Sequence, residues 1–201
     1  MRNTDYILDA AIFAVEAHGK QTRKVSLPNT KVPYVVHPLR VGRMLSRWGY
    51  DAETVIGGIL HDTIEDTPTT YEDLDRNFGK CVANLVAMCS DDKTAPWEEV
   101  CARNIEHIST THDAGYFAIK LADNIDNMRD VANVLRWCAN DGERQSFVWD
   151  KFKHHKEEKR AHHDMLFAAF LHNRHMEDGE RTERINEFGR LCLSVYHSNG
   201  Y

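Results

Sequence analysis

Apolar residues recur along this chain with the spacing of α-helices nearly throughout. Between Asp5 and His18 they fall at positions 7, 11, 12, 14 and 15, on one face of a helix. No stretch alternates apolar and polar residues for long, as a half-buried strand does. The pattern predicts an all-α fold. The predicted helices are 5–18, 37–48, 52–66, a short one from 70, 80–89, 98–109, 114–136, 145–175 with a break allowed, and 180–198.

Helix signals set several of these boundaries. Asp51 is a candidate N-cap for the helix 52–66, and Thr70 followed by Asp73 resembles the start of another helix. Pro38 occupies a first-turn position, where the missing N–H of proline does no harm. The 201 residues contain no repeat or composition shift, so we expect one domain over 1–201 with eight to ten helices.

Composition narrows the classes of function. The longest apolar runs fall far short of the roughly 20 residues of a membrane span, and the N-terminus has no signal-peptide pattern. Five cysteines without a CxxC pair argue against a disulfide framework, and the expected location is the cytoplasm. The net charge of −6 argues against a protein that coats nucleic acid. A small phosphorylated substrate remains compatible with it.

The stretch GGILHDTIEDT places four polar groups in an apolar helix. Its members His61, Asp62, Glu65 and Asp66 are spaced so that they form one patch. Three carboxylates this close repel one another unless a cation lies among them. A metal bound by His61 and Asp62 would relieve that repulsion and leave Glu65 and Asp66 for proton transfer. Taken alone, the stretch fits an exposed acidic stripe equally well.

Two further stretches supply partners for such a metal. Asp123 lies in an apolar helix with Asn127 four residues later, and its charge is costly there unless it is paired. His37 precedes Pro38 after two valines, a place where a lone histidine is more often a structural cap than a ligand. Together the four side chains would form a mixed nitrogen and oxygen set that suits Mn²⁺, Fe²⁺ or Zn²⁺ in hydrolysis. This candidate metal set consists of His37, His61, Asp62 and Asp123.

The order H…HD…D resembles the HD-domain metal-dependent phosphohydrolases. The sequence motifs around these residues are similar to those of the hydrolase domain of RelA/SpoT-type alarmone enzymes and their small stand-alone relatives. They cover roughly residues 6–135 in the order of the family, and helices at about 145–198 would pack beside them. The matching motifs are AVEAHGKQTRK, PYVVHPLRV, GILHDTIEDT, the FG of NFGKCVANLV, DDKTAPW and KLADNIDNMRD.

The resemblance implies an HD-domain helical bundle in which the candidate metal set binds one divalent ion, usually Mn²⁺. It assigns Glu65 and Asp66 to positioning and deprotonating the attacking water. It further implies that Arg23 and Lys24 line a nucleotide pocket and that Asn127 contacts sugar or phosphate. The implied reaction removes the 3′-pyrophosphate of (p)ppGpp to give GDP or GTP and pyrophosphate.

Two departures from the family pattern bear on the substrate. VSLPNTKVPY is longer than the family's turn beside Arg23, and Asp126 adds a negative charge where the family often has an aromatic residue. Alternative functions are therefore an HD phosphohydrolase for (p)ppApp or NADPH, and a non-catalytic nucleotide-binding HD protein. The intact Glu65 and Asp66 pair disfavours the non-catalytic alternative.

The C-terminal third carries little that predicts chemistry. KFKHHKEEKRAHHD (151–164) contains four histidines, for which a solvated helix face is a better interpretation than a second metal site. The last helix has apolar residues at helical spacing, as in ordinary core or subunit packing, which leaves a homo-oligomer open.

Overall fold

Helices form the secondary structure of the computed structural model, which describes residues 3–27, 30–138, 148–152, 154–173 and 179–196. The predicted all-α class is confirmed. Within these ranges the extended backbone pairs only at an isolated bridge between Thr22 and Pro33. The helices are α1 (Asn3–His18), α2 (Val36–Arg47), α3 (Ala52–Leu60), α4 (Thr63–Asp66), α5 (Tyr71–Phe78), α6 (Lys80–Cys89), α7 (Trp97–Thr110), α8 (Ala114–Cys138), α9 (Lys156–His172) and α10 (Gly179–Tyr196).

The predicted starts of α3 and α5 are confirmed by their caps. The Asp51 side chain accepts a hydrogen bond of 2.8 Å from the backbone N–H of Thr54 and so caps α3. Thr70 and Asp73 form a reciprocal capping box at the start of α5. Pro38 lies in the first turn of α2, which begins at Val36, one residue earlier than predicted.

The prediction of one helix over 52–66 is wrong at His61 and Asp62, where α3 ends and α4 has not begun. Asp62 has φ −96° and ψ −2°, outside regular helical geometry. The Thr63 hydroxyl donates to the Leu60 carbonyl at 2.7 Å, so a side chain replaces a lost backbone bond. The break therefore lies at two members of the candidate metal set, His61 and Asp62.

The helix predicted over 145–175 is observed as α9, preceded by a turn at residues 150–152. Residues 139–147, 153, 174–178 and 197–201 lie outside the described residues, and with them the ends predicted at 145, 175 and 198. The predicted solvated face at 151–164 is wrong for His163. Its side chain is buried and its Nδ1 lies 2.6 Å from the hydroxyl of Tyr196.

The chain groups into two compact units. The first comprises Met1–Thr22, Pro33–Val100 and Asp113–Asp123, and the second comprises Arg23–Val32, Cys101–His112 and Asn124–Tyr201. One domain over 1–201 stays a prediction. Among the described residues, no helix combines the length and the hydropathy that crossing a bilayer requires.

In the first unit, α3 is the central helix and packs against α1, α2 and α6. Its side chains from Thr54 to Leu60 are all buried, because neighbours cover it on several sides. In the second unit, α9 packs against α10, and the rings of Phe170 and Phe188 meet edge to face at 5.9 Å. Buried Asn173 donates to the carbonyls of Ile108 and Thr111 at 2.7 and 3.0 Å.

Helices α2 and α3 approach closely at two glycines. A Cβ added to Gly42 would lie 2.4 Å from Cγ1 of Ile59 and 3.4 Å from the carbonyl oxygen of Val55. A Cβ added to Gly58 would lie 2.2 Å from Cδ1 of buried Leu45. Since α2 carries His37 and His61 directly follows α3, this contact helps to set the distance between two candidate ligands.

We expect Gly42→Ala to lower the free energy of unfolding by about 1–3 kcal/mol, because the Cγ1 atom of β-branched Ile59 cannot move away without strain. Urea denaturation measures the change. Ser46→Ala, on the exposed side of the same helix, is the control and should stay within about 0.5 kcal/mol of the wild type. Equal stability of Gly42→Ala and the control would contradict the close contact.

Candidate metal centre and catalytic carboxylates

The four side chains of the candidate metal set meet in the first unit. His37 comes from the first turn of α2, His61 and Asp62 from the break after α3, and Asp123 from α8. Ligand atoms of His37, His61 and Asp123 all lie within 4.8 Å of one another. Oδ2 of Asp62 approaches Nε2 of His61 at 3.1 Å and Nε2 of His37 at 3.7 Å. The structure therefore brings together side chains that are as many as 86 positions apart, from 37 to 123.

The tautomer of His61 fits a metal ligand. Its Nδ1 lies 2.8 Å from the carbonyl oxygen of Gly58, to which it donates, so Nε2 is the ring nitrogen left to hold a proton or a metal ion. This Nε2 atom is buried and has no hydrogen-bond partner among the described residues. It faces carboxylate oxygens of Asp62 and Asp123 at 3.1 and 3.8 Å. A buried imidazole nitrogen that faces two carboxylates favours positive charge at this point, supplied by a proton on Nε2 or by a metal ion, and nitrogen and oxygen donors suit a divalent transition metal.

Electrostatics at the centre favour positive charge. Burial alone would lower the pKa of His61, but the carboxylates of Asp62 and Asp123 hold that pKa well above its usual value. Burial alone would raise the pKa of Asp123, but His37 and His61 hold it well below the usual range. Burial alone would lower the pKa of Lys120, one turn before Asp123 on α8, but Asp123 and the other groups around it together raise that pKa, so Lys120 retains its proton.

Tyr34 supports the centre from outside the candidate metal set. Its hydroxyl donates to Oδ2 of Asp62 at 2.6 Å. Burial and the charge of Asp62 raise the pKa of Tyr34 far above its usual value, so the hydroxyl stays a donor. Gln21 holds the surrounding backbone: its carbonyl accepts from the N–H of Tyr34, and its side chain donates to the carbonyl of Asp66, both at 2.8 Å.

Sequence reasoning assigned no role to Tyr34 or Gln21. Both lie inside quoted motif words, Tyr34 in PYVVHPLRV and Gln21 in AVEAHGKQTRK. Their location inside these motifs was the only sign in the sequence of a role at the site. Neither tyrosine nor glutamine by itself indicates contact with a carboxylate or a carbonyl.

Glu65 and Asp66 lie on α4 and are held by the loop that follows α6. The backbone N–H of Asp91 donates to Oε2 of Glu65 at 3.0 Å. Burial raises the pKa of Glu65, with a further contribution from the charge of Asp62. The ammonium of Lys93 donates to Oδ1 of Asp66 and lies 4.0 Å from Oε1 of Glu65. The sequence assigned no role to Lys93, which lies in the motif word DDKTAPW.

The predicted substrate contacts lie in the second unit. Arg23 donates to Oδ1 of Asn127 at 2.8 Å and to Oδ2 of Asp130 at 3.0 Å, so two of these predicted residues are in direct contact. Lys24 is exposed. Asp126, the extra negative charge noted in the sequence, is buried, with 2% of its surface exposed. Binding of a nucleotide by Arg23, Lys24 and Asn127 stays a prediction.

Comparison with known proteins gives consistent matches. Residues 10–152 match the model of the HD domain family. The chain is 39% identical over 149 residues to the guanosine-3′,5′-bis(diphosphate) 3′-pyrophosphohydrolase MESH1 of Xenopus tropicalis, covering 73% of this chain and 79% of the relative. It is 38% identical over 130 residues to the bifunctional (p)ppGpp synthase/hydrolase SpoT of Escherichia coli strain K12, covering 62% of this chain but only 18% of that longer protein.

A solved structure extends the similarity beyond the motif-bearing part. It is described as a metazoan ortholog of SpoT that hydrolyzes ppGpp, and it superposes with a TM-score of 0.71 at 25% identity. The superposition covers 92% of this chain and 94% of the other. With its HD-family match and its similarity to these proteins, this chain belongs to the HD-domain family and is homologous to the MESH1 and SpoT (p)ppGpp hydrolases.

Proposed function

We propose that this protein is a metal-dependent hydrolase that removes the 3′-pyrophosphate of (p)ppGpp to give GDP or GTP and pyrophosphate. The observation that carries the proposal is the meeting of His37, His61 and Asp123 within 4.8 Å. The names of the MESH1 and SpoT relatives support the choice of substrate. None of the five cysteines, all among the described residues, forms a disulfide, which supports a reducing compartment, and we place the reaction in the cytoplasm.

In this proposal, the candidate metal set holds one divalent ion, which we expect to be Mn²⁺. The buried, unpartnered Nε2 of His61 and the facing oxygens of Asp62 and Asp123 support that assignment. When bound, such an ion supplies Lewis-acid stabilisation of the charge on phosphoryl oxygens. The fixed orientation of His61, through its bond to Gly58, keeps Nε2 directed towards Asp62 and Asp123.

Glu65 is the general base of the proposed reaction. The N–H of Asp91 fixes its Oε2, so we assign the proton taken from the attacking water to Oε1. A carboxylate with a raised pKa is a stronger base than an ordinary glutamate, which suits proton abstraction near neutral pH. Asp66, adjacent on α4, helps to orient the water. Arg23, Lys24 and Asn127 would bind the nucleotide.

The test of the function is turnover of a substrate panel by the purified protein with Mn²⁺. The panel contains ppGpp, pppGpp, ppApp, NADPH and dNTPs, and Asp62→Ala is the inactive control. Release of pyrophosphate from ppGpp by the wild type alone supports the proposal. Cleavage of another member of the panel, with ppGpp left intact, would assign that compound as the substrate instead. Bound metal without turnover of any member would indicate a binding protein.

Tyr34→Phe should lower the affinity for Mn²⁺ about tenfold, because Oδ2 of Asp62 loses the hydroxyl that orients it. Isothermal titration with Mn²⁺ measures the change. Tyr71→Phe is the matched control, since it removes a hydroxyl that donates to Asn84 at 2.8 Å on α5 and α6. Equal Mn²⁺ affinities of the two variants would refute the role of Tyr34.

Glu65→Gln should lower kcat by about 10²–10⁴-fold while the metal content persists, because Glu65 takes a proton and does not bind the metal. Elemental analysis and steady-state kinetics measure the two quantities. Glu53→Gln, on the exposed side of α3, is the control and should match the wild type in both. Loss of metal from Glu65→Gln would show that Glu65 is a ligand.

The pH dependence of kcat/KM should follow the ionisation of Glu65. Glu65 acts as a base only when it is ionised, so activity should fall as the pH is lowered through its pKa. Because that pKa is raised, the fall should begin at a higher pH than for an ordinary carboxylate. The acidic limb should be absent from the residual activity of Glu65→Gln. Metal content is measured at each pH, so that activity lost through metal release is distinguished from activity lost through protonation of Glu65. Persistence of the same limb in Glu65→Gln, with metal retained, would assign it to another group.

A further inference from the structure

The loop between α6 and α7 presents a cation that the proposed reaction has not used. Lys93 donates to Oδ1 of Asp66, and its Nζ lies 4.0 Å from Oε1 of Glu65. The side chain is 56% exposed, in contrast to the buried histidines of the metal centre. It is the only lysine that forms an ion pair with Glu65 or Asp66 in the described part of the chain.

The position of Lys93 is fixed by a structured turn. Oδ1 of Asp92 accepts from the N–H of Thr94 at 2.8 Å and from its hydroxyl at 2.6 Å. The N–H of Ala95 donates to the carbonyl of Asp92 at 3.2 Å. On the other side of Lys93, Asp91 donates its N–H to Glu65. The backbone on both sides is therefore held, and only the flexible side chain of Lys93 remains adaptable.

The charges around the site favour binding of a second anion, the pyrophosphate of the substrate, by Lys93. Asp62, Glu65 and Asp66 bring three carboxylates close to the place where an anionic pyrophosphate would react, and like charges repel. An exposed ion pair stabilises the free protein only weakly, so exchange of the Lys93 ammonium between two anions costs little. Lysine is a common phosphate ligand because its ammonium is a point charge on a flexible stem.

We propose that Lys93 binds the 3′-pyrophosphate of the substrate and exchanges its ion pair with Asp66 for that contact. The inference rests on the proposed function for the identity of the anion. Arrival of substrate then frees Asp66 at the moment when the attacking water must be oriented. In the free protein, the same ion pair offsets the repulsion between Glu65 and Asp66.

The test compares Lys93→Gln, Lys93→Arg and the control Lys80→Gln, an exposed lysine at the start of α6. Inorganic pyrophosphate is titrated calorimetrically into Mn²⁺-loaded protein from which free metal has been removed. We expect about tenfold weaker binding to Lys93→Gln, near wild-type binding to Lys93→Arg, and no change in Lys80→Gln. GDP, which has no 3′-pyrophosphate, should bind all four proteins equally. Unchanged pyrophosphate binding by Lys93→Gln would overturn the inference.

Steady-state kinetics separates substrate binding from a purely structural role. If Lys93 contacts the pyrophosphate, Lys93→Gln should raise KM for ppGpp about tenfold, and Lys93→Arg should largely restore it. A fall in kcat at unchanged KM, with unchanged pyrophosphate affinity, would mean that Lys93 acts only through Asp66 and would overturn the inference. If the wild type turned over no member of the panel, the proposed function would fail, while the pyrophosphate titration would still decide on Lys93.

Discussion

Two imidazoles and two carboxylates face one another inside a unit whose central helix, α3, is mostly apolar. His37 and His61 are 1% and 3% exposed, so water screens their interactions with Asp62 and Asp123 poorly. Such a group is costly unless its charges are balanced and its polar atoms are bonded. The neighbouring structure meets part of this constraint: Gly58 accepts from His61, Tyr34 donates to Asp62, and Lys120 adds a buried positive charge, while Nε2 of His61 is left for a cation.

The break in the helix follows from the same constraint. In an uninterrupted helix, His61 and Asp62 would be separated by about 100° around the axis. The observed turn instead brings Nε2 of His61 within 3.1 Å of Oδ2 of Asp62, while Glu65 and Asp66 restart a short helix beyond it. The hydroxyls of Thr63 and Thr67 bond to carbonyls at the ends of the two segments and so limit the cost of the interruption.

Local signals in the sequence predicted much of the fold and the side chains of the candidate metal set that meet in the structure. Asp51 and Thr70 are caps whose chemistry is complete within three or four residues, so the sequence shows them directly. His37 and Asp123 could be grouped with His61 because a charged or imidazole side chain in an apolar helix needs a partner. The break at His61 could not be read in this way, because the stretch has good helical spacing and the interruption depends on tertiary contacts. The contacts of Tyr34 and Lys93 were missed for a similar reason: each joins segments more than 25 positions apart, 34 to 62 and 66 to 93.

The glycine contact between α2 and α3 has a consequence for how this centre could change during evolution or redesign. Ligand spacing here is set partly by how closely two helix backbones approach, and Gly42 and Gly58 allow that approach. A larger residue at Gly42 or Gly58 would push apart the backbones that carry His37 and His61, and the two imidazoles would move with them. Substitutions at this helix–helix contact would therefore alter the geometry of the candidate metal set without changing any of its four side chains.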